Sequence, residues 1–158
     1  MALPVALQLY SVRDELEADF EGTIAKVRKF GYDGVEFAGL YGRSAEQVRK
    51  ILADAGLTPV SAHVPLDELL GDTQAVVATY KEIGCKYIVV PYLPEDRRPG
   101  TEGFDRTIED IKKIADVCNA QGVRLLYHNH DFEFKKLDGK YALDILYSEI
   151  SADRLETE

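Results

Sequence analysis

Four times along this chain an amphipathic helical segment ends at a glycine, and an apolar run follows within a few residues: Gly31 before GVEFAG, Gly56 before TPVSAHV, Gly84 before KYIVVPYL and Gly122 before VRLLYHNH. A glycine just past a helix end accepts the left-handed backbone that stops the helix and turns the chain back. Each phrase is therefore a joint from helix into strand. The apolar runs are rich in Val, Ile, Leu and Tyr and are continuous, as in parallel strands covered on both faces. With Pro4 to Val12 as a first run that no helix precedes, the order is βαβαβαβαβ, and such short joints imply right-handed crossovers within one parallel sheet.

The intervening segments read as helices on their own terms. Residues 18–30 place Phe20, Ile24, Val27 and Phe30 at three- and four-residue steps, which predicts one apolar stripe with Lys26, Arg28 and Lys29 outside it. Residues 44–55 open with Ser44 and Gln47 at capping-box spacing and then present Val48, Ile51 and Leu52. Residues 72–83 and 101–120 repeat the scheme, and a shorter helix is expected over 142–148. Between Asp131 and Tyr141, Phe132 and Phe134 alternate with charges before Asp138-Gly139, a strong turn dipeptide, so a hairpin is expected there. PEDRRPG, residues 94–100, reads as a long loop whose Arg97 and Arg98 face solvent more readily than they form an anion site.

Alternating strands and helices fold either as an open doubly wound sheet or as a barrel. The first strand is followed by no GxGxxG and no P-loop, the phosphate-binding signatures of doubly wound nucleotide folds. A partial TIM (β/α) barrel is the better fit: about five βα units plus the start of a sixth strand in RLETE, residues 154–158, all within one α/β domain over 1–158. A complete barrel of eight units takes about 250 residues.

Composition narrows the partners. The net charge of −9 supplies no basic stripe for phosphate backbones, so nucleic acid is not expected, whereas a small neutral sugar or polyol is compatible. No apolar run approaches the roughly 18 residues of a membrane span, and the N-terminus lacks the basic opening of a signal peptide, so no membrane contact and a cytoplasmic setting are expected. Cys85 and Cys118 have neither disulfide nor zinc spacing and read as buried core thiols.

In barrels and doubly wound sheets alike, ligands sit outside the carboxyl ends of the strands. Those ends carry Gln8 and Tyr10 in the first run, Glu36 in the second, His63 in the third, Tyr92 in the fourth, and His128, Asn129, His130 and Asp131 in the fifth, with Glu133 close behind. All 3 histidines of the chain fall there. Glu36 inside an apolar run needs a partner, and desolvation would move its pKa toward useful values; its plainer role is to position a loop. His63 suits binding a hydroxyl or shuttling a proton, or simply buttressing the Pro65 turn. In an extended strand His128 and His130 would share a side, with Asn129 on the other. Tyr10, Tyr92 and Tyr127 are either rim aromatics with a free hydroxyl or core.

With LQLYSVRDE (7 to 15), GYDGVEFAG (31 to 39), SAHVP (61 to 65) and LLYHNHDFEF (125 to 134) in this order and spacing, the chain resembles the xylose isomerase-like TIM-barrel family of sugar phosphate isomerases and epimerases, in the branch that includes inosose dehydratase-type enzymes. The resemblance implies a divalent metal, Mn²⁺, Mg²⁺ or Co²⁺, held in the complete barrel by Glu, Asp, His and Glu from strands five to eight. It also implies carboxylates that move a proton next to the polarised carbonyl. Where many relatives place a glutamate in strand five, this chain has Tyr127 or His128, which leaves His128, His130 or Glu133 as the candidate ligand. The remaining ligands would lie beyond Glu158, so this chain alone need bind no metal. Glu36 and His63 are then the candidate catalytic pair, and Gln8, Tyr10, Tyr92 and Asn129 the candidate substrate contacts. Two other readings compete: a non-catalytic half-barrel, and an endonuclease IV-like phosphodiesterase, which the acidic charge disfavours. Cutting a barrel after five units would expose the edges of strands one and five and an inward layer of Val5, Leu7, Val35, Val60, Val89 and Leu125 or their alternates. Either a homodimer across these edges, or a longer polypeptide of which this chain is one part, is therefore expected.

Overall fold

The computed structural model describes residues 3–158. Its core is a parallel six-stranded sheet in the order β1-β2-β3-β4-β5-β8, formed by β1 (Ala6–Gln8), β2 (Gly34–Phe37), β3 (Thr58–His63), β4 (Tyr87–Val90), β5 (Arg124–Tyr127) and β8 (Glu156–Thr157). The crossovers are α2 (Phe20–Lys29), α3 (Ala45–Ala55), α5 (Thr73–Ile83) and α6 (Phe104–Gln121). Successive helices pack on one another, α2 on α3, α3 on α5 and α5 on α6, so they form a continuous layer on one face of the sheet. Sequential strand order with a single helical layer is the partial-barrel arrangement expected from the joints. No helix among the described residues is long and apolar enough to cross a membrane.

Local chemistry explains the joints. Ser44 caps α3 by accepting from the Gln47 amide at 3.2 Å while the Gln47 side chain accepts from the Ser44 amide at 2.9 Å, the reciprocal box the spacing predicts. Gly56 ends α3 at φ 68° and Gly122 ends α6 at φ 75°, both in the left-handed region. Two short helices were not anticipated: α1 (Arg13–Ala18) and α4 (Leu66–Gly71). Under two turns long, they carry too few residues for a helical period to show. Each ends at an aspartate that starts the next helix: Asp19 accepts from the Gly22 amide and Asp72 from the Ala75 amide, both at 3.0 Å.

Three expectations shift. The first strand stops at Gln8, and Leu9–Val12 form a 3-10 turn, so Tyr10 lies on a turn and not on a strand. Phe30, expected in the apolar stripe of its helix, is 78% exposed, because α2 ends before it at Lys29. The Asp138-Gly139 hairpin forms, but only as β6 (Lys136–Leu137) with β7 (Lys140–Tyr141); Phe132–Phe134 are a 3-10 turn before it, and α7 (Ala142–Glu149) follows.

Strand parity places the polar groups. In-register neighbours of a parallel sheet share a face, and pairing aligns Gln8 with Glu36, Glu36 with Ser61, Ser61 with Tyr87 and Tyr87 with Arg124. That row lies on the face away from the helices. The alternates Val35, Phe37, Ala62, Ile88 and Leu125 are buried beneath them. Leu7, Val35 and Leu125 thus belong to the helix side, so on their strands it is the alternates that face inward, while Val89, in register with His63, faces inward itself. The open face is largely polar, and the fifth strand is not an edge, because β8 pairs with it. Both facts remove part of the apolar surface from which self-association was expected.

Arg97 is not solvent-facing either. Its guanidinium meets the Asp110 carboxylate of α6 at 2.9 Å, with the two side chains 14% and 10% exposed. The pair staples the loop after β4 to the helix. Burial raises the Asp110 pKa, but hydrogen bonds from Arg97 and Lys113 outweigh it and hold the carboxyl below its ordinary value. Arg97→Ala leaves that carboxylate to the outward-lying Arg106 and Lys113. A loss of about 3 kcal/mol at neutral pH is expected from urea unfolding. A depressed carboxyl stabilises the fold fully above its unfolded pKa of about 4 and stops doing so as pH falls through the lowered value, so the gap between variant and parent should close in strong acid.

Candidate functional site

The carboxyl ends of the strands open into a cleft of about 580 Å³ whose lining includes Gln8, Tyr10, His63, Glu68, Tyr92, His128 and His130. Behind the lining residues Gln8 and His63 stands Glu36, in a strand whose four residues are all buried. Ser61 donates to Glu36 Oε2 at 2.6 Å, and the Gln8 amide donates to Oε1 at 3.0 Å. His63 Nε2 lies 3.1 Å from Glu36 Oε1 and 2.9 Å from Glu158 Oε2. The Gln8 amide nitrogen lies 3.3 Å from both ring nitrogens of His63. His128 Nδ1 lies 3.2 Å from the same Glu158 oxygen.

Two carboxyl groups, Glu36 and Glu158, thus meet between two imidazoles. Burial, followed by the Glu158 carboxyl beside it, raises the Glu36 pKa; the bonds from Ser61 and Gln8 and the charge of His63 oppose the rise without cancelling it. Burial pushes Glu158 the same way, but hydrogen bonds with His63 and Glu36 prevail and leave it lowered. Adjacent carboxyls that cannot both be charged at no cost split their titrations in this manner. Atoms of His63, His128 and Glu158 able to ligate a cation all lie within 4.8 Å of one another. Imidazole nitrogens with carboxylate oxygen suit zinc, manganese, cobalt or iron, so the donor chemistry fits a divalent transition metal.

The structure brings together Gln8, Glu36, His63 and His128, and keeps Tyr10, Tyr92 and His130 on the walls. Asn129 does not line the cleft; its side chain donates to the His130 carbonyl at 3.0 Å. Glu133 is not available to a metal there. It is 1% exposed and accepts from the Tyr127 hydroxyl and, at 2.8 Å, from the His130 amide, which fixes the turn that presents His130. Tyr127 is a core residue, fully buried, its hydroxyl pushed far above its ordinary range first by burial and then by the Glu133 bond. Glu158 was missed, although RLETE was read as a strand. The alternation of Glu156 and Glu158 would have put both on the open face beside Leu126 and His128.

The sequence profile of the xylose isomerase-like TIM-barrel family matches residues 24–146, well over half of the chain. The chain belongs to that family. Within this xylose isomerase-like family it is similar to an inosose dehydratase of Geobacillus thermodenitrificans, 25% identical over 134 residues that make up 72% of this chain and 45% of that protein. Among solved structures it superposes on a sugar phosphate isomerase/epimerase from Parabacteroides distasonis with a TM-score of 0.82 at 21% identity, covering 98% of this chain and 64% of that one. A xylose isomerase-like TIM-barrel protein from Mycobacterium smegmatis, in complex with magnesium, gives a TM-score of 0.72 at 14% identity, covering 98% of this chain and 63% of that one. The chain therefore spans about half the length of the dehydratase and under two thirds of the two solved relatives.

The hydrogen bonds to Glu36 favour its charged form, so removing one should raise its pKa further. Ser61→Ala is expected to shift the Glu36 carboxyl titration upward, and Gln8→Leu to do so less, as followed by carboxyl carbon shifts in NMR. A downward shift in either variant would mean that the bonds do not serve the carboxylate.

Proposed function

We propose that this chain forms the N-terminal part of the active site of a metal-dependent sugar isomerase, epimerase or keto-polyol dehydratase, which moves a proton at the carbon next to a carbonyl. The observation that carries it is the convergence of Glu36, His63, His128 and Glu158, two of which, His63 and His128, line the cleft. Similarity to proteins named as an inosose dehydratase and a sugar phosphate isomerase/epimerase supports this reading, and a relative solved in complex with magnesium supports a divalent ion.

His63, His128 and Glu158 would hold the metal. Bound there, it supplies Lewis-acid polarisation of a carbonyl and an adjacent hydroxyl. The chain's own groups do the rest. Glu36 stands beside that point with a pKa raised toward the working range, where a carboxyl can take a proton in one step and return it in the next. Ser61 and Gln8 fix its two oxygens, so the carboxyl is held in one orientation. Gln8 and Tyr10 offer an amide and a hydroxyl to a polyol, and Tyr92 its ring. We place the reaction in the cytoplasm, where the buried free thiols Cys85 and Cys118 stay reduced. The free edges at β1 and β8 would be covered by further strands of the barrel or by a second copy of the chain.

Calorimetric titration with Zn²⁺ or Mn²⁺ tests the metal. His128→Ala and Glu158→Gln should each weaken binding by at least about tenfold, as loss of a metal's supporting groups does. Affinity in both variants equal to that of the unaltered chain would refute the ligand set. In the complete enzyme, chelation should abolish turnover, and Glu36→Gln should abolish it with the metal still bound.

A further inference from the structure

The wall of the cleft after β4 and β5 is built unlike the rest. Tyr92 lines the cleft and is 45% exposed, a large fraction for an aromatic ring among so many contacts. His130 meets it edge-on at 5.5 Å between ring centroids, and Phe132 does so at 5.9 Å. His130 and Phe132 in turn stack parallel at 5.6 Å, with only 5° between their planes. Arg98 locks the group: its guanidinium carbon lies 4.8 Å from the Tyr92 centroid and 4.3 Å from that of Phe132. Arg98 Nε donates to the Leu93 carbonyl at 3.0 Å, and one terminal nitrogen donates to the Tyr92 hydroxyl.

With these partners Arg98 is committed to the protein and lies outside the cleft lining, so it is not waiting for an anion. The neighbouring Arg97–Asp110 pair anchors the same loop and thereby fixes where Arg98 begins. A tyrosine with its hydroxyl tied and its plane set by three neighbours has lost the freedom of both side-chain torsions before any ligand arrives. Preorganisation of this kind is spent on something that must meet the ring in one orientation.

Resting on the proposed chemistry of the adjoining floor, we propose that Tyr92 is a stacking platform for the apolar face of a carbocyclic polyol, whose ketone form keeps a free carbonyl within the ring. Arg98 acts as its positioning residue, and the pair selects carbocyclic substrates over open-chain ones. The C–H groups on one side of such a ring carry slight positive charge and meet the negative face of the aromatic quadrupole, while its hydroxyls turn to Gln8 and to the point between His63 and His128. An open-chain polyol has the same hydroxyls but no flat apolar face, and it must freeze several torsions to lie on the tyrosine.

NMR titration of the chain with myo-inositol as the ring probe and sorbitol as the open-chain probe tests this. Inositol ring protons should shift upfield on binding and show contacts to the Tyr92 ring. Tyr92→Ala should weaken inositol up to about tenfold, the upper range for an aromatic contact, and sorbitol by much less. Tyr92→Phe should retain inositol binding, since the ring and not the hydroxyl makes the platform. Arg98→Ala should weaken inositol by about threefold and broaden the Tyr92 signals, and Arg98→Lys should not restore it, because lysine lacks the planar stack. Equal weakening of both probes in Tyr92→Ala, or none of either, overturns the platform. If neither probe binds the unaltered chain while Zn²⁺ still depends on His128 and Glu158, the platform falls and the metal site stands; the opposite pattern leaves the platform and removes the metal.

Discussion

A carboxylate inside an apolar strand cannot be left without partners, and the mouth of this sheet is organised around that constraint. Glu36 sits in GVEF, four residues all buried in a parallel sheet. Isolated in such a place, its charge would be far too costly to keep. Instead Ser61 and Gln8, its in-register neighbours on the strands either side, turn their polar ends to its two oxygens, and His63 stands one step further along β3. Every one of these groups is placed by strand pairing and by the alternation of faces, so the site is as rigid as the sheet itself.

The helical layer serves the same end from the other side. Val35, Phe37, Ala62, Ile88 and Leu125 face the helices and are fully or almost fully buried, which fixes the parity of each strand and so commits the alternate residues to the open face. Asp19 and Asp72 each end a short helix and begin a long one, which allows the chain to bend where a continuous helix would overshoot the sheet. The rim loops are then built outward from this frame. Glu133 is buried in order to hold the turn of His130, and Arg97 is half-buried in order to hold the loop of Arg98. Two ionisable residues that look like site chemistry or solvent surface are scaffolding for the residues beside them.

Much of this was legible in the residues alone. Glycines at helix ends and continuous apolar runs are local chemistry, so the element order, the parallel sheet and the cluster of Gln8, Glu36, His63 and His128 at the strand ends followed from short stretches of chain. The Ser44 and Gln47 box and the Asp138-Gly139 turn were equally local. The order of LQLYSVRDE, GYDGVEFAG, SAHVP and LLYHNHDFEF carried the family. What stayed hidden depended on partners distant along the chain. Glu133 and Glu158 are the same side chain near the same rim, yet one is drawn into the core by Tyr127 and the other is set opposite His63, 95 residues away. Arg97 and Arg98 are adjacent and identical, and only the position of Asp110 on one side and of Tyr92 and Phe132 on the other gives them opposite roles. The face of Leu7 and Val35 stayed open because periodicity reveals that residues alternate but not which set faces the helices. Local patterns specify the backbone path, since they act through neighbouring dihedrals and caps; the destination of a charged side chain is a competition between burial and pairing, and only the packed fold brings the competitors together.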